Sequence, residues 1–200
     1  MKKIVLATAN THKVIEFQRI LNELVSDLEL VPASDFLSVP EVAETGATFA
    51  ENALIKARAI NDFTKLPALA DDSGLVVDAL NGAPGIFSAR YAGLTATDAE
   101  NVEKLLIEIK DISPDLLFAR FECAIALVDS QQNLELVVEG QMPGLVIKEV
   151  RGANGFGYDP VFVPQGLAKT SAELSDQEKD QISHRGIALR KIAVLLKQLA

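Results

Sequence analysis

Strand-like and helix-like segments take turns along this chain, beginning with KIVLATA and THKVIEFQRILNEL, and that alternation commits it to an α/β fold. In the second segment Val14, Phe17, Ile20, Leu21 and Leu24 recur at helical spacing, so a helix follows the first strand directly. TFAENALIKARAI opens with Thr48 and Glu51 at capping-box spacing and places Phe49, Ala53, Leu54, Ala57 and Ile60 on one face. Thr97 with Glu100, and Ser175 with Glu178, repeat the device. Between the helices, ALADDSGLVVDAL reads as strand, turn and strand. ARFECAIALVDSQQNLELVVEGQMPGLVIKEV reads as two or three antiparallel strands around a polar turn at Ser130 to Asn133. A mixed sheet is expected. No repeat, low-complexity tract or long linker divides the chain, so residues 1–200 are expected to form one domain.

A hydrophobic content of 48% is ample for a core. The net charge of −9 argues against binding a nucleic-acid backbone, which requires basic residues to neutralise phosphates. A small anion would instead need a local cluster of positive groups and backbone N–H donors. The single cysteine, Cys123, lies in the apolar run CAIALV and reads as an inert core thiol. No secretory pattern or membrane-length apolar stretch is present in the sequence, so a cytoplasmic setting without membrane contact is expected.

Four clusters carry chemistry. At the first strand–helix junction, Asn10 or Thr11 is placed to cap the helix, whose free N–H groups form an anion site. Lys13 is unfavourable to the helix dipole there but well placed for a phosphate, and the Thr8 hydroxyl adds a donor. The alternative is plain capping beside a solvated lysine, and the glycine-lysine signature of a P-loop is absent. In the second cluster, Asp71 and Asp72 end an apolar run just before Ser73 and Gly74. Adjacent carboxylates are costly to bury without a cation, and oxygen ligands at a strand end suit Mg²⁺. An acidic turn explains them equally well. Glu44, before the second helix, is able to join the same ion, and Lys56 adds positive charge if it faces inward.

The third cluster, GANGFGYDPVF, combines glycines that admit close backbone approach with Phe156 and Tyr158, whose rings suit a nucleobase or simply plug the core. Gly157 and Asp159 belong to the same loop. The fourth, EKDQISHRG, brings Lys179, His184 and Arg185 together around a helix start, with Ser183 as a cap.

In the order TANTHK, ETGATFAENALIKA, ADDSGL, GAPGIFSARY, GFGYDP and ELSDQEKDQISHRG, the chain resembles the noncanonical purine nucleoside triphosphate pyrophosphatases, the inosine or xanthosine triphosphatases, from Lys3 to about Arg190. That resemblance implies an elongated mixed β-sheet flanked by helices, with two lobes around a central substrate cleft, usually as a homodimer. It implies a Mg²⁺-dependent hydrolase acting on a small nucleoside triphosphate. By the same resemblance, Thr8, Ala9, Asn10 and Lys13, with the backbone of Thr11 and His12, hold the triphosphate, and Lys56 reinforces that charge. Asp72 is the catalytic base, Glu44 and Asp71 help hold the metal with it, and Ser73 touches substrate. Phe156, Gly157, Tyr158 and Asp159 pack against base and sugar, while Lys179, His184 and Arg185 read the 6-oxo purine. Family loops often carry a small residue where this chain has His12. The rival expectation is a purine nucleotide-binding regulator that does not hydrolyse its ligand.

Overall fold

The computed structural model describes residues 2–8 and 10–198. Among them, in chain order, are β1 (Lys2–Leu6), α1 (Thr11–Leu24), β2 (Leu28–Pro32), α2 (Phe49–Thr64), β3 (Ala68–Val77), α3 (Asp98–Ile109), β4 (Phe118–Asp129), β5 (Leu134–Val146), β6 (Phe162–Pro164), α4 (Asp176–Ile182) and α5 (His184–Gln198). The strands form one sheet in the order β2-β1-β3-β4-β5-β6. β1 runs parallel to β2 and β3, whereas β5 and β6 are antiparallel, so the sheet is mixed as expected. β4 and β5 are joined by the turn at residues 130–133, where Asn133 takes the left-handed conformation (φ 51°) that its side chain tolerates.

Side-chain periodicity explains the helices. On α1, Phe17, Ile20 and Leu21 are buried on one face, and Asn10 caps the helix by accepting from the His12 and Lys13 N–H groups at 3.0 and 3.2 Å. Thr48 caps α2, but Glu51 reaches the Ala47 N–H (2.6 Å) rather than the cap's own. The complete reciprocal box forms at Thr97–Glu100 and Ser175–Glu178.

The chain divides into two compact units. One holds the residues up to Asp72, Cys123–Gly140 and those from Arg185 onward. Ile4, Leu6, Phe17, Leu69, Ile125, Leu127, Leu189 and Ile192 are buried in its core. Cys123 lies in that core, where burial pushes its thiol up to about 12, which suits an inert side chain. The other unit, Ser73–Glu122 and Gln141–His184, is built on Leu75, Val77, Leu105, Ile109, Leu117, Phe121, Val161 and Phe162.

One element departs from expectation. ADDSGL is not a turn: β3 runs unbroken from Ala68 to Val77. Gly74 is there for close approach, since a Cβ on it would lie 2.4 Å from both the Gly85 carbonyl oxygen and Ser88 Oγ.

Candidate functional site

Because β3 continues through them, Asp71 and Asp72 project to opposite faces of a strand, and this alternation gives them different partners. Asp71, fully buried, meets Lys13 of α1 at 2.9 Å and Arg185 of α5 at 3.3 Å. Arg185, itself 2% exposed, also donates to Glu16 of α1 at 2.5 Å. Burial alone would raise the Asp71 pKa, but Lys13 and Arg185 outweigh it and hold the carboxylate well below its ordinary range. The same acids keep the Arg185 guanidinium charged despite its burial.

Asp72 faces α2. It accepts from Lys56 Nζ at 3.0 Å through one oxygen and from Asn52 Nδ2 at 3.1 Å through the other. Lys56 reaches back to Glu44 at 2.7 Å, so two carboxylates converge on one ammonium. Burial raises the Asp72 pKa, Lys56 opposes the rise, and the Glu44 charge adds to it. Burial works against the Lys56 charge, yet Asp72, Asp71 and Glu44 together raise its pKa. Asn52 is held in turn by the Gly46 N–H, which donates to its Oδ1 at 2.8 Å, and a Cβ on Gly46 would lie 2.8 Å from that oxygen.

The junction after β1 is ordered by Asn10, and Thr8 Oγ1 accepts from the Asn10 N–H at 3.2 Å. Thr11 is therefore the first helical residue rather than the cap, and His12 follows it, exposed. Ala9 lies outside the described residues. Ser73 sits half-buried within β3, as the first residue of the second unit.

In the second unit, Asp159 Oδ2 accepts from Lys179 Nζ at 2.6 Å and from the Phe156 N–H at 3.0 Å. The Lys179 ammonium lies 5.0 Å from the centroid of the Phe156 ring. Tyr158 is buried, and its hydroxyl donates to the Ser88 carbonyl at 2.9 Å, so it belongs to the core while Phe156 does not. Gly155 has φ +75°, and a Cβ there would fall 2.1 Å from Asp159 Oδ2.

Among the described residues no set of three acidic, histidine or cysteine side chains is placed to hold a metal: Asp71 pairs with Lys13, while Glu44 and Asp72 share Lys56. In the first unit Arg185 pairs with Asp71 and Glu16, and in the second the His184 ring stacks on Phe121 at 4.8 Å. Glu16 and Asn52 escaped the sequence reading. Their signal was helical spacing, since Glu16 follows Lys13 by three positions and Asn52 precedes Lys56 by four.

Fold and side chains together define an α/β protein organised around buried carboxylate–lysine clusters. The chain belongs to the Ham1 family, whose model matches residues 4–195. It is 48% identical over 198 residues to the dITP/XTP pyrophosphatase of Escherichia coli K12, covering 98% of this chain and 99% of that relative. It is also 48% identical to the dITP/XTP pyrophosphatase of Streptomyces coelicolor over 199 residues, covering 100% and 99%. The solved HAM1 protein of Coxiella burnetii superposes with a TM-score of 0.88 at 47% identity, covering 99% of this chain and all of that one. The Ham1 protein of Staphylococcus aureus superposes with the same score at 39% identity and full coverage of both chains.

Proposed function

We propose that this protein hydrolyses noncanonical purine nucleoside triphosphates of the inosine and xanthosine type to the monophosphate and pyrophosphate. The relatives' shared name supports the reaction. The observation that carries it is the setting of Asp72, a buried carboxylate with raised pKa beside Lys56, Asn52 and Glu44. A carboxyl shifted toward neutrality is a better general base than a solvated one.

A divalent cation fits this donor set. Glu44 and Asp72 already share one cation, the Lys56 ammonium, and the three groups together retain one negative charge in excess. Glu44 and Asp72 would hold the ion, and Mg²⁺ is the species we assign; when bound, it neutralises phosphate charge and orients water.

The remaining steps use the chain's own residues. The N-terminus of α1, capped by Asn10 and flanked by Thr8 and Lys13, receives the triphosphate. Asp71 keeps Lys13 oriented, and Arg185 keeps Asp71 charged. Lys56 places a second positive charge beside the anhydride. Asp72 takes the proton as water adds across the α–β anhydride and pyrophosphate leaves. In the second unit Phe156 offers a flat face to the base, and Lys179 a donor that suits a 6-oxo acceptor and leaves adenine's 6-amino group unmatched. Residues 1–200 are proposed to act as one domain. The resemblance also supports a homodimer in the cytoplasm, which light scattering tests for the assembly.

A non-hydrolysing regulator has no use for a raised-pKa carboxylate beside the phosphate site. Incubating the protein with Mg²⁺ and a panel of nucleoside triphosphates, with and without chelator, tests the proposal. Monophosphate and pyrophosphate are expected from inosine and xanthosine triphosphates, far more slowly from ATP and GTP, and not with chelator. Orthophosphate as the main product would overturn the reaction type.

A further inference from the structure

The loop at residues 152–158 carries three glycines in the left-handed region, Gly152, Gly155 and Gly157, with φ of 83°, 75° and 61°. Such a backbone keeps wide freedom unless something ties it down. On one side packing does not hold it, because the loop there borders a cavity of about 370 Å³ lined by Asp98, Val102, Leu106, Asn154, Phe156 and Pro160. Hydrogen bonds supply the constraint. From the first turn of α3, Asp98 Oδ2 accepts the Gly157 N–H at 2.7 Å, across 59 residues of sequence. The neighbouring Tyr158 hydroxyl donates to the Ser88 carbonyl at 2.9 Å. Asn101, one helical turn beyond Asp98, closes the circuit: it accepts from the Ala92 N–H at 2.8 Å and donates to the Ala89 carbonyl at 3.2 Å. The first turn of α3 therefore holds the glycine loop directly and holds the segment that grips Tyr158. Within this circuit Asp98 is the charged member, at a helix N-terminus where a carboxylate is favoured.

We infer that Asp98 is a positioning residue, whose carboxylate fixes Gly157, and with it Phe156, in the shape that receives the purine. The purine half of this inference rests on the proposed function; the clasp between Asp98 and the loop does not.

Three variants decide it: Asp98→Ala, Asp98→Asn and Glu100→Ala. Each is measured for hydrogen–deuterium exchange of the peptide covering residues 150–160, for kcat and KM with inosine triphosphate, and for inhibition by pyrophosphate, which has no base. Asp98→Ala is expected to speed exchange in the loop and to raise KM about three- to tenfold, with kcat within about twofold, the low end for an ionic hydrogen bond open to solvent. Pyrophosphate inhibition stays unchanged. Asp98→Asn keeps an acceptor oxygen and recovers most of the affinity. Glu100→Ala opens the capping box of the same turn and lowers Tm, yet leaves KM alone. Unchanged exchange in Asp98→Ala removes the clasp. Faster exchange with unchanged KM, or an equal rise in KM from Glu100→Ala, removes the positioning role. A wild-type protein inert toward every purine triphosphate sinks the proposed function and the purine half together, while the exchange measurement still judges the clasp.

Discussion

Asp72 in the first unit and Asp159 in the second are both buried carboxylates with a lysine at hydrogen-bond distance, yet their surroundings set them different tasks. Asp72 shares its lysine with Glu44 and takes its other bond from a neutral amide, so burial prevails and its pKa rises. Asp159 accepts from Lys179 and from the Phe156 backbone within its own loop, and in doing so fixes the shape of that loop. A carboxylate competing for its cation is ready to take a proton or a metal. One bonded to its own backbone is ready to hold a conformation. The comparison generalises to the units: the first gathers Lys13, Lys56, Asp71, Asp72, Glu44, Glu16 and Arg185 into two ionic sets, whereas the second pairs an aromatic face with one buried ion pair in a glycine-rich loop. Phosphates are common to every nucleotide and bases are not, so the first arrangement suits turnover and the second discrimination.

The largest effect expected separates these two acids. Asp72→Asn preserves shape but cannot accept a proton, and kcat should fall about 10²- to 10⁴-fold for every triphosphate while nucleotide binding stays measurable. Asp159→Asn should act mainly on KM, through a loosened loop. Steady-state kinetics on both variants at saturating Mg²⁺ checks this; a kcat loss in Asp159→Asn equal to that of Asp72→Asn would erase the distinction.

Next in size is the buried ionic cluster of Asp71, Arg185 and Glu16. Arg185→Ala strands Asp71 and Glu16 without their shared guanidinium, and breaking such a pair costs about 3–5 kcal/mol, a Tm drop of roughly 6–20 °C for a chain of this length. Activity should fall for all substrates with the inosine-to-adenosine ratio unchanged; a narrowed ratio would return Arg185 to base recognition. Asp71 adds a pH signature. Its folded pKa is depressed, so its stabilisation is fully present above the ordinary carboxylate range of about 4 and is lost as pH falls from there toward the folded value. The Tm gap between wild type and Asp71→Asn should be constant near neutrality and narrow below about pH 4.

Much of this was legible in the residues because it depends on local pattern. The capping boxes at Thr97 and Ser175, the buried face of α1 and the hairpin at residues 130–133 all follow from spacing alone. The individual site side chains were legible as chemistry but not as neighbours. ADDSGL reads as a turn because serine and glycine follow two aspartates, whereas Gly74 is required by the approach of Gly85 and Ser88, which no local signal announces. As a strand it gives Asp71 and Asp72 different partners, by period two. The partners of Arg185 are hidden for a similar reason. Its sequence neighbours Lys179 and His184 belong to the second unit, and the partners that bury it, Asp71 and Glu16, lie 114 and 169 residues away.

The smallest expected effect tests the division of labour most directly, because it is a ratio. Under the proposed function Lys13 meets phosphate, and Lys13→Ala should then depress kcat/KM for inosine triphosphate and for ATP by similar factors, leaving the ratio between them nearly intact. Lys179, the proposed donor to the base, is held by Asp159 and set 5.0 Å from the Phe156 ring centroid. Replacing it strands a buried carboxylate, so the informative variant is the double change Lys179→Met with Asp159→Asn, which removes donor and acceptor charges together. Any general loosening of the loop then lowers both substrates alike and cancels in the ratio. What does not cancel is the lost donor to the 6-oxo group, expected to narrow the inosine-to-adenosine ratio about tenfold. Measuring kcat/KM for both nucleotides in both variants is sufficient: a ratio that narrows in Lys13→Ala, or holds in the double variant, would show that discrimination is not seated in the glycine-rich loop.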